Sequence, residues 1–264
     1  MRKIALLNQK GGVGKTTTAV NLAAALARLD RRILLIDLDP QSNATISLGI
    51  APHLQKHTVY SVLTGAPPQP LELLPNLHLI PSNLDLAGAE MELSSAIGRE
   101  SVLRDALASL GGYDFVLVDS PPSLGLLSVN ALTYVNEVMI PVQCEFLALH
   151  GISLLLRTIE LVRKRLNPSL EIGGVVPCMY DARKGLSRET LQELERHFRD
   201  KIYRTKIRTN VRLAEAPSHG KSIFDYAPDS NGAEDYMSLA REVAGIVALN
   251  PASPPVQLPQ VAGT

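Results

Sequence analysis

Residues 8–18 read NQKGGVGKTTT. Gly14, Lys15 and Thr16 close a G-x-x-x-x-G-K-[ST] pattern. In that pattern backbone N–H groups cradle phosphates, the lysine neutralises the β/γ oxygens and the hydroxyl binds Mg²⁺. Gly11 and Gly12 allow close backbone approach, and Val13 and Thr17 complete the candidate nucleotide loop. The opening glycine of the pattern is replaced by Gln9, and an extra lysine, Lys10, precedes the loop. A glycine-rich turn could merely cap a helix. The apolar run before this one and the helical pattern after it favour phosphate binding instead.

Phosphate chemistry with Mg²⁺ also needs carboxylates. Asp119 ends the apolar run FVLVD and is followed by Ser-Pro-Pro, while Asp37 and Asp39 follow ILLI in LIDLDPQSN. A carboxylate at the C-terminal end of a parallel strand lies on the ligand-binding edge of the sheet. The competing role, capping the next helix or turn, remains open for each of them.

These residues need a scaffold to bring them together. Short apolar runs at 3–7, 32–36, 77–80, 114–118, 137–142 and 172–177 predict strands. Their near-continuous hydrophobicity suits a parallel sheet buried on both faces. Amphipathic stretches at 16–29, 84–97, 99–110, 150–166, 187–199 and 232–249 predict helices. The alternation predicts an α/β fold with a doubly wound, mostly parallel sheet flanked by helices. No composition shift divides the 264 residues. The expected organisation is one domain over 1–249 and a flexible proline-rich tail over 250–264.

Composition narrows the function classes. Formal net charge is zero, so any attraction to nucleic acid must be local. Tryptophan is absent and aromatics are 4%, which offers no stacking platform for single-stranded bases. The two cysteines, Cys144 and Cys178, lie in apolar contexts and read as buried free thiols in a reducing compartment. The N-terminal apolar run is too short for a signal peptide, and no run approaches the roughly 20 residues of a membrane helix. A cytoplasmic protein is expected.

KGGVGKTTT, LIDLDPQSNAT, VDSPPS and NVRLAEAPSHGK, in that order, resemble the deviant Walker A ATPases of the ParA/MinD superfamily, most closely the short chromosomal ParA proteins of the Soj type. The resemblance covers residues 1 to about 249. It implies a P-loop NTPase in which two subunits sandwich two ATP molecules and Lys10 crosses to the partner's nucleotide. It assigns the β/γ-phosphates to Lys15, Mg²⁺ to Thr16, and the orientation of the attacking water to Asp39. Asp119 would hold Mg²⁺ through water, with Asp37 supporting the same region. Gly11 would sit where the subunits approach. The base-binding motif of relatives is Pro-Arg-Asn-Val-Arg; here it reads Arg208-Thr209-Asn210-Val211-Arg212, so Asn210 and Arg212 match and the first two positions do not.

Residues 181–221 hold eleven Lys and Arg against six Asp and Glu. A solvated helix face would look the same. The resemblance favours nonspecific double-stranded DNA binding through Arg183 and Arg212, with Lys184 and Arg208 as further candidates, and such binding should weaken steeply with salt. It further implies weak intrinsic ATPase activity, an ATP-dependent homodimer associated with the nucleoid, and a ParB- or Spo0J-type partner that stimulates hydrolysis. The phosphate loop begins at residue 9, so no helix-turn-helix is expected ahead of it. The rivals are a MinD-like or cargo-positioning ATPase acting on a membrane or a protein complex. The uncharged tail after Asn250 argues against the membrane version. The cysteines do not match a cluster-binding arrangement.

Overall fold

The computed structural model describes residues 1–145 and 152–246. Seven strands lie among them: β1 (Arg2–Leu6), β2 (Ile33–Asp37), β3 (Leu71–Leu74), β4 (Leu77–Ile80), β5 (Phe115–Asp119), β6 (Glu137–Gln143) and β7 (Glu171–Cys178). They form one sheet in the order β3-β4-β2-β5-β1-β6-β7. Every pairing is parallel except β3 with β4. The helices are α1 (Lys15–Arg28), α2 (Asn43–Ser47), α3 (Val59–Leu63), α4 (Leu86–Leu93), α5 (Val102–Ala106), α6 (Leu126–Tyr134), α7 (Ile152–Arg165), α8 (Gly185–Phe198), α9 (Val211–Glu215), α10 (Ile223–Tyr226) and α11 (Asn231–Val243).

The central strands β2 and β5 are apolar up to their closing aspartates because both sheet faces are covered there. Ile33 and Leu35 of β2 face a layer built from α1, α10 and α11, whereas Leu34 and Ile36 face the opposite layer of α3 to α8. In β5, Phe115 and Leu117 divide from Val116 and Val118 in the same way. This is the two-residue pleat of a strand feeding two cores. The outer edge of β7 is covered by an irregular segment, where Tyr203 N donates to Val175 O and Ile207 N to Pro177 O.

The expected doubly wound sheet is present, but several elements differ: the short helices α2, α3, α9 and α10 lie outside the predicted helices, and α4 and α5 are shorter than the predicted 84–97 and 99–110. β3 lies outside the predicted strands; it is a short antiparallel edge strand with alternate residues in solvent, which a search for continuous apolar runs passes over. Helix α6 was also not expected. It is buried almost all round, from Leu127 to Tyr134, and so lacks the one-sided apolar stripe that marks a surface helix. The last helix ends at Val243, because Gly245 turns the chain at φ 71° and its N–H caps Glu242 O. Residues 247–249 of the expected helix, and the predicted tail at 250–264, lie outside the described residues. No helix among the described residues is long and apolar enough to cross a membrane.

Candidate nucleotide site and basic segment

The phosphate loop leaves β1 and enters α1 at the carboxyl edge of the sheet. Gly12 (φ 74°) and Gly14 (φ 94°) adopt left-handed conformations that a side chain would strain. The loop is held from below: Asn8 Nδ2 donates to Pro141 O at 2.8 Å, and Asn8 Oδ1 accepts from Lys10 N at 3.0 Å. Cys178 Sγ packs against Gly14, 3.8 Å from where a Cβ would stand.

The two lysines of the loop differ completely in setting. Lys15 is 7% exposed, and its Nζ donates to Lys10 O at 3.2 Å. Burial pushes its pKa down, against the pull of Asp119 and Asp39. Lys10, Gly11 and Gly12 are exposed. A Cβ on Gly11 would meet nothing within 4 Å, and its φ is not in the left-handed region. Thr16 and Thr17 are half-buried at the start of α1, and Val13 is buried beneath the loop.

Asp37 and Asp119 end neighbouring strands and are register partners. Both are fully buried. Asp37 is satisfied: its Oδ2 accepts from Thr45 N (2.8 Å) and Thr45 Oγ1 (2.7 Å), and its Oδ1 from Asp39 N (3.2 Å). Among the described residues neither carboxylate oxygen of Asp119 has a hydrogen-bond partner. Burial, then the nearby Asp37, hold the Asp119 carboxyl well above the usual range, while Thr16 and Lys15 pull it down. Burial also raises Asp37, against the hydrogen bonds from Thr45. Asp39 Oδ1 accepts from Gln41 N at 2.9 Å.

An orphaned, buried carboxylate next to a lysine and a threonine fits a hydrated divalent cation. Mg²⁺ is held by one or two carboxylates and substrate phosphates, with several waters retained. Among the described residues no group of three or more His, Cys, Asp or Glu is arranged to hold a metal alone.

Three residues of this site escape a reading of the sequence. Asn8 anchors the loop. Thr45 bridges Asp37 to Ser82, whose N–H donates to Thr45 Oγ1 at 3.0 Å. Ser82 Oγ donates to Asp39 O at 2.8 Å and so fixes the Asp39 loop. The one available signal for Ser82 is that it follows an apolar strand, as Asp39 and Ser120 do.

The cysteines are free and buried, with Cys144 N donating to Cys178 O at 3.0 Å across β6 and β7. Burial pushes both thiols up to about 12. At that value they are inert.

The basic residues sit elsewhere. Arg183 is exposed and grips Asp181 at 2.9 Å, which holds the Asp181 carboxyl down at about 2. Lys184 is exposed at the start of α8. Arg212 is exposed and pairs with Glu215 at 2.9 Å; Glu215 also accepts from Tyr226 Oη. Arg208 is different. Its guanidinium reaches Asp235 at 2.6 Å and Glu234 at 2.7 Å, and its N–H also donates to Asp235. Asn210 caps α9 by accepting from Arg212 N at 2.9 Å, while its Nδ2 lies beside Gly232.

Comparison with known proteins agrees with this geometry. The AAA domain family model matches residues 1–172. The chain is 51% identical to the sporulation initiation inhibitor protein Soj of Bacillus subtilis, over 91% of this chain and 97% of the relative. It is 50% identical to the chromosome-partitioning ATPase Soj of Thermus thermophilus, over 92% and 95%. Among solved structures, it is 38% identical to the cobyrinic acid a,c-diamide synthase of Mycobacterium smegmatis with bound ATP analogue and magnesium, at a TM-score of 0.82 over 93% and 95% of the two chains. The phosphate loop, the paired strand-end carboxylates and these matches together show that the chain belongs to the Soj/ParA group of the ParA/MinD superfamily of deviant Walker A ATPases.

Proposed function

We propose that this chain is a DNA-segregation ATPase: with MgATP two copies close face to face, the dimer holds double-stranded DNA without sequence preference, and a ParB-type partner stimulates hydrolysis and release. The relatives at about half identity include chromosome-partitioning proteins, and the M. smegmatis neighbour holds an ATP analogue and magnesium. A diamide synthase activity, suggested by that neighbour's name, has the weaker claim at 38% identity.

The observation that carries the reading is the contrast between Lys15 and Lys10. Lys15 is buried beside two carboxylates and serves the chain's own nucleotide. Lys10 is exposed on a loop pinned by Asn8, whose Oδ1 accepts from Lys10 N. A cation held at the rim gains most when a second subunit closes over it and excludes water, as arginine fingers do in trans. Mg²⁺ bound beside Thr16 would neutralise charge developing on the phosphates. Asp119 would hold its water shell, with Asp37 fixing the neighbouring backbone through Thr45. Asp39 would orient the attacking water with its unengaged oxygen. Asn210 would offer its amide N–H to the base, because its carbonyl is spent on α9.

In the DNA-binding surface, Arg183, Lys184 and Arg212 stand in solvent, and phosphates would replace Asp181 and Glu215 as their partners. Arg208 is committed to Asp235 and Glu234, so its part is to position the Asn210 loop.

Gly11→Val tests the sandwich. Within its own chain a Cβ at this position meets nothing within 4 Å. The variant should bind ATP as a monomer with wild-type affinity, yet show no ATP-dependent dimer by light scattering and no ATP-dependent DNA retention at physiological salt. A dimer of normal mass in this variant would overturn the face-to-face arrangement.

A further inference from the structure

Helix α4 is apolar on two sides. Leu86, Ala89 and Leu93 are buried against the sheet. The opposite stripe starts at Leu84, whose carbonyl accepts from Ala87 N in the turn leading into the helix, and continues to Met91. Leu84 lies in the turn before α4, whose Asp85 is already right-handed helical, and the seven positions from it to Met91 bring the two to the same side of the segment. They are 75% and 82% exposed, and Ile97 beyond them is fully exposed. A surface helix needs one apolar face; a second exposed one marks a contact.

Asp85 and Glu92 form a second pair, also seven apart, beside that stripe. Among the described residues Asp85 accepts only from Asn83 Nδ2, and Glu92 only from the Tyr60 hydroxyl. Neither meets a cation among the described residues. The face is apolar with an unneutralised acidic margin.

The same segment touches both catalytic loops. At its start, Ser82 holds Asp39 O and Thr45 Oγ1. Further along, Glu90 Oε1 accepts from Leu127 N at 3.2 Å, in the first turn of α6, the helix that ends the loop leaving Asp119. The fit there is tight: a Cβ on Gly125 would stand 2.4 Å from Glu90 Oε1.

We infer that the outer face of α4 docks a basic amphipathic helix of a partner protein, and that docking acts on the Asp39 and Asp119 loops through Ser82 and Glu90. This rests on the reading above that a partner sets turnover. The occupant follows from charge and pattern: apolar residues at helical spacing fill the Leu84–Met91 stripe, and lysine or arginine beside them answers Asp85 and Glu92. A second copy of this chain would instead set these carboxylates against their own images. Residues 250–264 carry no charged side chain and leave them unanswered.

The test titrates the full chain, with MgATP, against a fluorescent 14-residue peptide, LKKLLKLLKKLLKL. Saturable binding is expected. Met91→Lys and Glu92→Lys should each weaken it about tenfold, the effect of about 1.4 kcal/mol. Both side chains stand in solvent, so the melting temperature should hold. Wild-type peptide affinity in both variants would overturn the proposal. So would a loss of dimer mass in Met91→Lys with peptide affinity unchanged, which assigns the face to a second copy. A rise in peptide affinity on deleting 250–264 would assign it to the tail and overturn it likewise. For the coupling, the peptide should raise ATP turnover in the wild type, and Glu90→Gln should keep peptide affinity but lose that rise. Stimulation that persists in Glu90→Gln would refute transmission through Glu90. If the wild-type chain shows no MgATP-dependent DNA retention, the functional reading fails, while the peptide titration still decides the docking face.

Discussion

At the carboxyl edge of the sheet Lys15 and Asp119 are buried, and Asp119 lacks a hydrogen-bond partner among the described residues; along residues 181–221 Arg183 and Arg212 are exposed, Arg208 is half-buried, and each has a carboxylate partner. Asp119 has two oxygens with no hydrogen bond, and Lys15 has a pKa pushed down by burial. Arg183 and Arg212 have short ion pairs yet remain exposed. The difference concerns what each region requires of its ligand. Buried groups without partners are costly until a ligand supplies the missing charges, so the edge is strained toward binding. Exposed ion pairs contribute about 0–1 kcal/mol each, so a polyanion can displace the carboxylates at little cost. Tight selective binding suits the first region, and loose salt-sensitive binding the second.

Several measurements would break or sharpen this contrast. The largest effect is expected for Lys15→Ala, which removes the buried cation and should weaken ATP binding about 100-fold, since charged hydrogen bonds count for more out of water. Retained wild-type affinity by calorimetry would end the assignment of the buried site. Lys10→Ala should leave monomer affinity nearly unchanged but lower turnover by a factor of about 100, as for other groups acting in trans on phosphates. If it destroyed ATP binding as thoroughly as Lys15→Ala, the rim lysine would belong to its own subunit's site.

Within the basic segment, Arg208→Ala and Arg183→Glu should separate. Arg208 neutralises the buried carboxylate of Asp235, so its loss should cost about 1–2 kcal/mol of stability by denaturant titration, a figure reduced because the guanidinium is partly in water. Arg183→Glu should leave stability within about 0.5 kcal/mol. It should lower DNA affinity about tenfold at low salt and flatten the salt slope. Equal loss of stability in both would mean that the segment is uniform scaffold.

The smallest effect concerns pH. Asp119 has a folded pKa raised above its unfolded value. Below about pH 4 it is protonated in both states and costs nothing. As pH rises from there through the folded value, the unfolded chain releases its proton first, and stability falls. Nucleotide-free protein should therefore lose stability upward from about pH 4, and Asp119→Asn should flatten that slope while weakening Mg²⁺-dependent binding. An unchanged slope would show that the Asp119 carboxyl is not held neutral by burial.

Much of the candidate nucleotide site could be proposed from the sequence because its parts are local. Gly14, Lys15 and Thr16 sit between a strand and a helix, and Asp37 and Asp119 each end a run of apolar residues, so one rule about sheet edges brings them together. Asn8, Thr45 and Ser82 were not legible: each acts through a single hydrogen bond to a group remote in sequence, and one asparagine or hydroxyl carries no periodicity. Helix α6 was hidden for a related reason, since burial on all sides erases the stripe that marks a helix.

The basic segment shows the limit more sharply. Its excess of cations was countable, and Arg183, Lys184, Arg208 and Arg212 read alike as charges on a string. Folding alone separated them, by setting Asp235 and Glu234 of α11 against Arg208 while Arg183 and Arg212 pair with carboxylates two and three residues away. Charge, strand runs and the phosphate loop are properties of short stretches, and the sequence determined them. Which lysine is buried, which carboxylate is orphaned and which arginine is already taken depend on groups brought together from distant positions, and only the tertiary structure decided them.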